Sequence, residues 1–153
     1  MAKATFYFPK NFLWGTTTAA HQVEGGDTNN DWWRWEQEDG HVKDGSSSIS
    51  AAGWWQDAEA DLDRMAEMGQ NAHRLSLEWS RIEPRDGQWD EIAIERYREL
   101  LTGLRDRGIQ PMVTLHHFSN PQWFVDQGGW GNKELALNRF PRYVEKVVNT
   151  LGD

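Results

Sequence analysis

The sequence predicts an α/β protein in which short apolar strands alternate with amphipathic helices. Strands are predicted near residues 12–19, 72–77 and 109–115, and a helical pattern follows each of them. The helices are long enough to be crossover connections, which implies parallel strands. The links from helix back to strand are minimal, whereas long, polar, aromatic-rich loops follow the strands. This asymmetry is typical of a (β/α) barrel, whose working face is built from the loops after the strands.

The first predicted strand ends in a group of hydrogen-bonding side chains. The chain from Phe12 reads as a short buried strand, and His21, Gln22 and Glu24 follow it within four positions. Such side chains at the end of a parallel strand can form the rim of a site. An ordinary strand followed by a polar loop is the plain alternative.

A long polar loop is predicted over residues 25–53. It contains Trp32, Trp33 and Trp35 in the run DWWRWE. A connection of this length is unusual inside a compact domain unless it has a function. We expect the three indoles either to pin a surface loop to the body of the protein or to help wall a ligand site.

The second unit combines a predicted helix over residues 55–68 with a strand that carries charged side chains. Arg74 lies within this strand and Glu78 follows it. A buried charge needs a partner, so Arg74 either pairs with a neighbouring carboxylate for structure or keeps a reacting carboxylate ionised. Among the strand ends, Glu24 and Glu78 are the candidates for such reacting carboxylates.

The third unit begins with a helix that Asp90 is predicted to cap, and a buried strand follows it. His116 and His117 come directly after this strand. Adjacent strand residues point to opposite faces and chelate poorly as a pair, so no metal site is expected.

The last helical region is predicted to start near Asn132. Pro141 interrupts its pattern, and the main part of the helix tolerates this proline if Asn138 caps that part.

Composition narrows the class of ligand. Ten tryptophans exceed what a core of this size needs, and aromatic faces stack on sugars or on nucleobases. The net charge of −8, without any cluster of Lys and Arg, argues against nucleic acid and favours a neutral, hydroxyl-rich ligand.

The absence of cysteine excludes disulfides and thiolate chemistry. No dinucleotide or phosphate-loop fingerprint occurs, so no cofactor is expected. With neither a signal-peptide pattern nor a membrane span, a soluble cytoplasmic protein is the expectation.

Several segments resemble glycoside hydrolase family 1, the β-glucosidases and β-galactosidases. The opening stretch FLWGTTTAAHQVEG is similar to the amino-terminal signature of that family. The second and third strands of the family are similar to NAHRLSLEWSRIEP and TLHHFSNPQW, and its first long loop resembles DWWRWE.

The resemblance implies roles for particular residues. Gln22 and His117 match side chains that bind hydroxyls of the sugar in the non-reducing subsite, and Arg74 matches an arginine beside the nucleophile. Phe118 stands where many members carry tryptophan, and His116 receives no role. Glu78 matches no catalytic group, so the resemblance replaces its candidacy with structural pairing.

The resemblance also implies that residues 1–153 are the N-terminal part of a glycosidase domain, the first three βα units of a (β/α)8 TIM barrel. Neither the T-x-N-E-P segment of the acid/base glutamate nor the E-N-G segment of the nucleophile occurs here. We therefore expect no catalytic glutamate in this chain, and a partner chain or a missing remainder that completes the barrel.

Three functional hypotheses remain open from the sequence. The first is an enzyme part that supplies the glycone-binding wall for retaining hydrolysis of a β-glycoside or oligosaccharide. The second is a non-catalytic carbohydrate-binding module that uses the same tryptophans. The third is a small structural domain with an incidental aromatic surface.

Overall fold

The computed structural model describes residues 6–152 and contains a three-stranded parallel sheet in the order β1-β2-β3. The strands are β1 (Gly15–Thr17), β2 (Ala72–Ser76) and β3 (Gln110–Thr114). The predicted α/β alternation with parallel strands is confirmed. The register places Thr17 beside Arg74, and Arg74 beside Met112.

Helices connect these strands and follow the last of them. The helices found within residues 6–152 are α1 (Ala20–Val23), α2 (Asp31–Glu36), α3 (Glu59–Glu67), α4 (Trp79–Ile82), α5 (Glu91–Asp106), α6 (Gln122–Asp126) and α7 (Lys133–Leu151), with a 3₁₀ turn at Gly129–Gly131. None of them combines the length and the apolar character that a membrane crossing requires.

The hydrophobic core joins β2 to α3, α4, α5 and α7. Trp79 is its largest fully buried side chain, and its ring stacks on Tyr143 with centroids 5.0 Å apart. Tyr97, Leu100 and Leu104 line the inner face of α5 and are completely buried. The core therefore fixes the helices against one face of the sheet, and the ends of the strands are held in place from that side.

The first strand is exposed along its whole length, so the prediction that it is buried is wrong, whereas the third strand is only partly exposed. Each is an edge strand with a single hydrogen-bonded neighbour. Thr17, Arg74 and Met112 are in register and all exposed, so they share a face of the sheet that no described helix covers. The three-residue β1 is also shorter than the predicted strand over 12–19.

The loop predicted over residues 25–53 contains the two-turn helix α2. Asn30 caps this helix, since its side chain accepts a hydrogen bond from the backbone of Trp33. Trp32 and Trp35 are 46% and 47% exposed. These two indoles do not pin the segment to the core, and that part of the structural alternative is wrong.

Two helix boundaries also differ from the sequence prediction. The helix predicted over residues 55–68 begins only at Glu59, because the chain before it forms turns. In these turns the indole of Trp55 lies beneath the guanidinium of Arg81, whose Cζ is 4.2 Å from the centroid of the indole ring. At α5 the predicted cap is confirmed, since Asp90 accepts hydrogen bonds from two backbone amides of the first turn.

The final helix α7 runs without a break through Pro141. Its cap is Asn132, whose Oδ1 accepts a hydrogen bond from the amide of Leu135. The predicted cap at Asn138 is wrong, because that side chain donates to the carbonyl of Glu134 within the helix. A proline removes one helical hydrogen bond, and the core contacts of the buried face offset this loss.

Candidate functional site

A cleft of about 170 Å³ opens beyond the carboxyl ends of the strands. The sequence-predicted residues Gln22 and His117 both line it, although they follow different strands. The remaining lining residues are Ala19, His21, Trp32, Phe118 and Ser119. The cleft therefore brings together an amide, two imidazoles and two aromatic faces.

The segment that carries Gln22 is fixed to the end of β2. The backbone amide of Ala20 donates to Oγ of Ser76, 2.8 Å away, and both residues are buried. This hydrogen bond therefore fixes the start of helix α1 relative to the end of β2. Gln22 projects from this short helix and is exposed at the cleft.

The turn after β3 presents His117 and Phe118 in an unusual backbone conformation. Phe118 has φ of 65°, in the left-handed region that a residue with a side chain seldom adopts. Its side chain is 71% exposed. The amide of Ser119 donates to the carbonyl of His117 over 2.9 Å and closes the turn.

Helix α2 forms the third wall because its N-terminus is bonded to the loop after β3. Both carboxylate oxygens of Asp31 accept hydrogen bonds from Asn120, each 2.8 Å long. The indole of Trp32 consequently lies against Phe118, with ring centroids 6.2 Å apart in an edge-to-face arrangement.

Two residues of this cleft received no individual role from the sequence. Trp32 was visible only as one of three indoles in a long loop, and its exposure is the feature that singles it out. His21 lies with its ring 6.1 Å from that of Trp32. Burial lowers the pKa of His21, so its imidazole is predominantly neutral at pH 7.

The side chain of Arg74 lines a second, wider cleft of about 510 Å³, and His117 lines this cleft as well. Its Nε donates to Oγ1 of Thr114 over 2.6 Å. No carboxylate of residues 6–152 forms an ion pair with it. The structural alternative, a neighbouring carboxylate as its partner, is therefore wrong.

His116 packs beside the second cleft. Its Nε2 is 3.0 Å from Oδ1 of Asn120, and its ring meets that of Trp130 edge-on at 5.3 Å. Across the described part of the chain, no group of three His, Asp or Glu side chains is arranged to hold a metal ion.

The two glutamates that the sequence offered as candidates are buried behind the first cleft. Glu24 and Glu78 are 3% and 1% exposed. Glu24 accepts hydrogen bonds from Nε of Arg81 at 2.7 Å and from the hydroxyl of Tyr97 at 2.8 Å. These contacts give Glu24 a structural role, because they join the end of α1 to α4 and α5.

Burial shifts both carboxyl groups toward the neutral form. It raises the pKa of Glu24 to about 7, with Arg81 and Tyr97 acting in the opposite direction. It raises the pKa of Glu78 to about 8, and the negative charge of Asp27 adds to this effect. The structural role that the resemblance implied for Glu78 agrees with its position.

Comparisons with known proteins identify a family. The sequence profile of Glycosyl hydrolase family 1 matches residues 4–153. Beta-glucosidase A of Acetivibrio thermocellus is 35% identical over 159 residues, an alignment that covers 100% of this chain and 35% of the relative. Beta-glucosidase 47 of Arabidopsis thaliana is also 35% identical, over 99% of this chain and 30% of its own length.

Solved structures give the same result. The AHE enzyme from Alicyclobacillus herbarius superimposes with a TM-score of 0.92 at 35% identity, over 99% of this chain and 35% of that one. A mutant rice beta-glucosidase in a covalent complex with Glc superimposes with a TM-score of 0.90 at 35% identity, over 95% of this chain and 32% of that one.

The chain thus spans about a third of the length of the relatives that it matches. Its three-stranded sheet corresponds to the N-terminal part of their TIM barrels. Neither a carbohydrate-binding module nor a structural domain has support from these comparisons. The chain belongs to glycosyl hydrolase family 1.

Proposed function

We propose that this chain supplies the wall that binds the non-reducing sugar in a retaining β-glycosidase, which hydrolyses terminal β-D-glycosidic bonds. The observation that carries the proposal is the convergence of Gln22 and His117 on one cleft. The relatives named above are beta-glucosidases, which supports a β-glycoside as the substrate.

The side chains of the cleft suit the hydroxyls of a pyranose. The amide of Gln22 both donates and accepts hydrogen bonds, and the imidazole of His117 offers two ring nitrogens for such bonds. Trp32 and Phe118 offer apolar faces to the C–H groups of a sugar ring. Bonds that tighten as the ring distorts toward the transition state would raise the rate as well as the affinity.

Arg74 fits the role of a cation beside the nucleophile. Its guanidinium is exposed in the second cleft and shares that cleft with His117. A positive charge within about 4–6 Å of a carboxylate lowers the pKa of that carboxylate and keeps it ionised. In the proposed enzyme Arg74 is a positioning and charge-stabilising residue.

The reacting carboxylates belong, in this proposal, to barrel units outside residues 1–153, on a complementary polypeptide or a further length of the same chain. One glutamic acid would protonate the leaving oxygen. The other, about 5–5.5 Å away, would attack the anomeric carbon to form a glycosyl-enzyme that water then hydrolyses. The covalent complex with Glc in the rice beta-glucosidase mutant supports this course.

The test purifies the protein through a tag on this chain, so that any complementary polypeptide is retained. Calorimetry measures the binding of methyl β-D-glucopyranoside, and release of p-nitrophenol measures hydrolysis of the p-nitrophenyl β-D-glucoside. We expect Gln22→Ala and His117→Ala each to lower kcat/KM by about a hundredfold or more, since about 2.7 kcal/mol of transition-state binding corresponds to that factor.

The matched control is Gln127→Ala, an exposed glutamine that lines neither cleft. This variant should retain activity within about twofold, because surface substitutions away from a binding site usually change the free energy of folding or binding by less than about 0.5 kcal/mol. A loss below about threefold in both cleft variants would contradict the proposal. Hydrolysis by a polypeptide that contains only residues 1–153 would contradict the external origin of the carboxylates.

A further inference from the structure

We infer that Glu78 is a positioning residue that, as a neutral carboxylic acid, fixes the turn carrying His117. The inference rests on the proposed sugar-binding role of that turn. Glu78 lies at the end of β2 and is fully buried behind the cleft. It lines neither of the two clefts, so it acts only through other residues.

Three short hydrogen bonds join Glu78 to the loops on both sides. Oγ of Ser119, in the turn after β3, lies 2.6 Å from Oε2 of Glu78. On the other side, Oγ of Ser80 lies 2.7 Å from Oε1 of Glu78 and 2.6 Å from Oδ2 of Asp27. Asp27 belongs to the loop after β1, so the chain of bonds spans all three strand ends.

The number of hydrogens available along this series of hydrogen bonds requires a proton on one of the carboxyl groups. Ser80 has one hydroxyl hydrogen but lies within hydrogen-bond distance of two carboxyl oxygens. If both carboxyls were ionised, one of these contacts would oppose lone pairs with no hydrogen between them.

Glu78, rather than Asp27, is the group that carries this proton. Oδ2 of Asp27 also accepts from Nδ2 of Asn30 at 2.8 Å, so this oxygen has a second donor besides Ser80. Oε1 of Glu78 has Ser80 as its only hydrogen-bond partner among residues 6–152. The acid O–H of Glu78 therefore donates to Ser80, and Ser80 donates to Asp27.

The charges around Glu78 favour the same state. Glu24 lies on the side of α1, and the guanidinium of Arg81 is bonded to that residue. The hydroxyls of Tyr97 and Tyr143 face the cluster from α5 and α7, and Tyr97 accepts the backbone N–H of Glu78. No cation within residues 6–152 bonds the carboxyl of Glu78 directly, and burial raises its pKa to about 8.

The turn that this acid fixes is the one with the left-handed residue. Ser119 closes it through the carbonyl of His117, and its hydroxyl holds it to Glu78. A conformation of this kind costs on the order of 1–3 kcal/mol and persists only where its surroundings hold it. Without the bond to Glu78, the turn loses one of its anchors, and the bond from Nδ2 of Asn120 to the carbonyl of Phe118 at 2.9 Å remains.

The experiment compares Glu78→Gln, Glu78→Ala and Ser119→Ala with the exposed control Ser50→Ala. Calorimetry measures the affinity for methyl β-D-glucopyranoside at pH 7 and pH 9, and NMR measures amide hydrogen exchange at residues 117–119 without ligand. An amide at position 78 can donate to Ser80 and accept from Ser119, as the acid does. It has no proton to lose in this range.

We expect Ser119→Ala and Glu78→Ala to lower the affinity about five- to tenfold, the loss of one buried hydrogen bond, and to accelerate exchange in the turn. Glu78→Gln and Ser50→Ala should stay within about twofold of the unsubstituted protein at pH 7. From pH 7 to pH 9 the unsubstituted protein should lose affinity, because Glu78 then ionises beside Asp27, whereas Glu78→Gln should not lose it for that reason.

Two results would overturn the inference: unchanged exchange and affinity in Ser119→Ala, or a Glu78→Gln variant as impaired as Ser119→Ala. Should Glu78→Ala fail to fold, Ser119→Ala still decides the question. If the unsubstituted protein binds no sugar, the proposed function fails, and the exchange rates still show whether Glu78 holds the turn.

Discussion

Tyr97→Phe removes a hydroxyl that links two buried glutamates. This hydroxyl donates to Oε1 of Glu24 over 2.8 Å and accepts the backbone N–H of Glu78 over 2.9 Å. Its residue is completely buried, so water cannot replace either bond without rearrangement. The ring remains in place, and the substitution tests the polar contacts rather than the packing.

The cost of this substitution should depend on pH. A buried donor left without its acceptor costs about 1–3 kcal/mol, and this part applies at any pH. The bond to Glu24 is worth about 0.5–1.5 kcal/mol when that carboxyl is neutral and about 1.5–3 kcal/mol when it is ionised. The two parts add to a loss of about 1.5–4.5 kcal/mol at pH 5.5 and about 2.5–6 kcal/mol at pH 8.5, so we expect the larger loss at the higher pH.

The direction of this pH dependence follows from the raised pKa values of Glu24 and Glu78. The folded protein holds protons on Glu24 and Glu78 up to about pH 7 and about pH 8, whereas the ordinary pKa of a glutamate is 4.5. Stability from these groups is greatest below about pH 4.5 and falls as the pH rises toward the folded values. The hydrogen bond from Tyr97 lowers the pKa of Glu24. Removing the hydroxyl of Tyr97 therefore increases the loss of stability as the pH rises.

Urea denaturation at the two pH values measures the free energy of unfolding. The matched control is Tyr143→Phe, because Tyr143 is equally buried and its hydroxyl donates to the carbonyl of Leu115. That control should lose about 1–3 kcal/mol at both pH values. Equal losses for Tyr97→Phe at pH 5.5 and pH 8.5 would refute the assignment of its hydroxyl to a titrating carboxyl.

Two further pairs of variants test local features by urea denaturation. Asn132→Ala should cost about 1 kcal/mol, because Asn132 caps α7, whereas Asn138→Ala should cost less than about 0.5 kcal/mol; equal losses would contradict the observed helix start. Gly25 and Gly26 share a left-handed backbone conformation, with φ of 73° and 74°. Their surroundings differ, because a Cβ at Gly25 would lie 2.6 Å from the carbonyl oxygen of Ser50, whereas a Cβ at Gly26 would have no atom within 4 Å. Gly25→Ala should therefore cost more than the roughly 1 kcal/mol expected for Gly26→Ala, and a smaller loss at Gly25 would contradict that close approach.

Local sequence rules predicted the elements of this fold where neighbouring residues decide the outcome. The alternation of apolar segments predicted the parallel α/β sheet, and Asp90 was identified as a helix cap. Gly69 and Gly108 lie just beyond α3 and α5 and have φ of 73° and 72°, the left-handed conformation in which many helices end. These features depend on backbone conformation and on contacts within one turn, which the sequence states directly.

The same rules failed where distant parts of the chain decide. The pattern around Pro141 predicted a helix that starts anew at Asn138, but tertiary packing carries α7 through the proline. The first strand was expected to be buried, and β1 is exposed at the edge of the sheet. Burial of a strand depends on what covers it, and no local pattern contains that information.

The motifs identified Gln22 and His117 as candidate binding residues and Arg74 as a candidate beside the nucleophile, because each lies in a segment typical of the family. The sequence alone thus determined the family, the order of strands and helices, and the residue types offered to a sugar. Only the tertiary structure decided that Gln22 and His117 share a cleft and that Trp32 walls it. It also decided that Glu24 and Glu78 are buried, because desolvation and hydrogen bonds between separate segments exist only once the chain has folded.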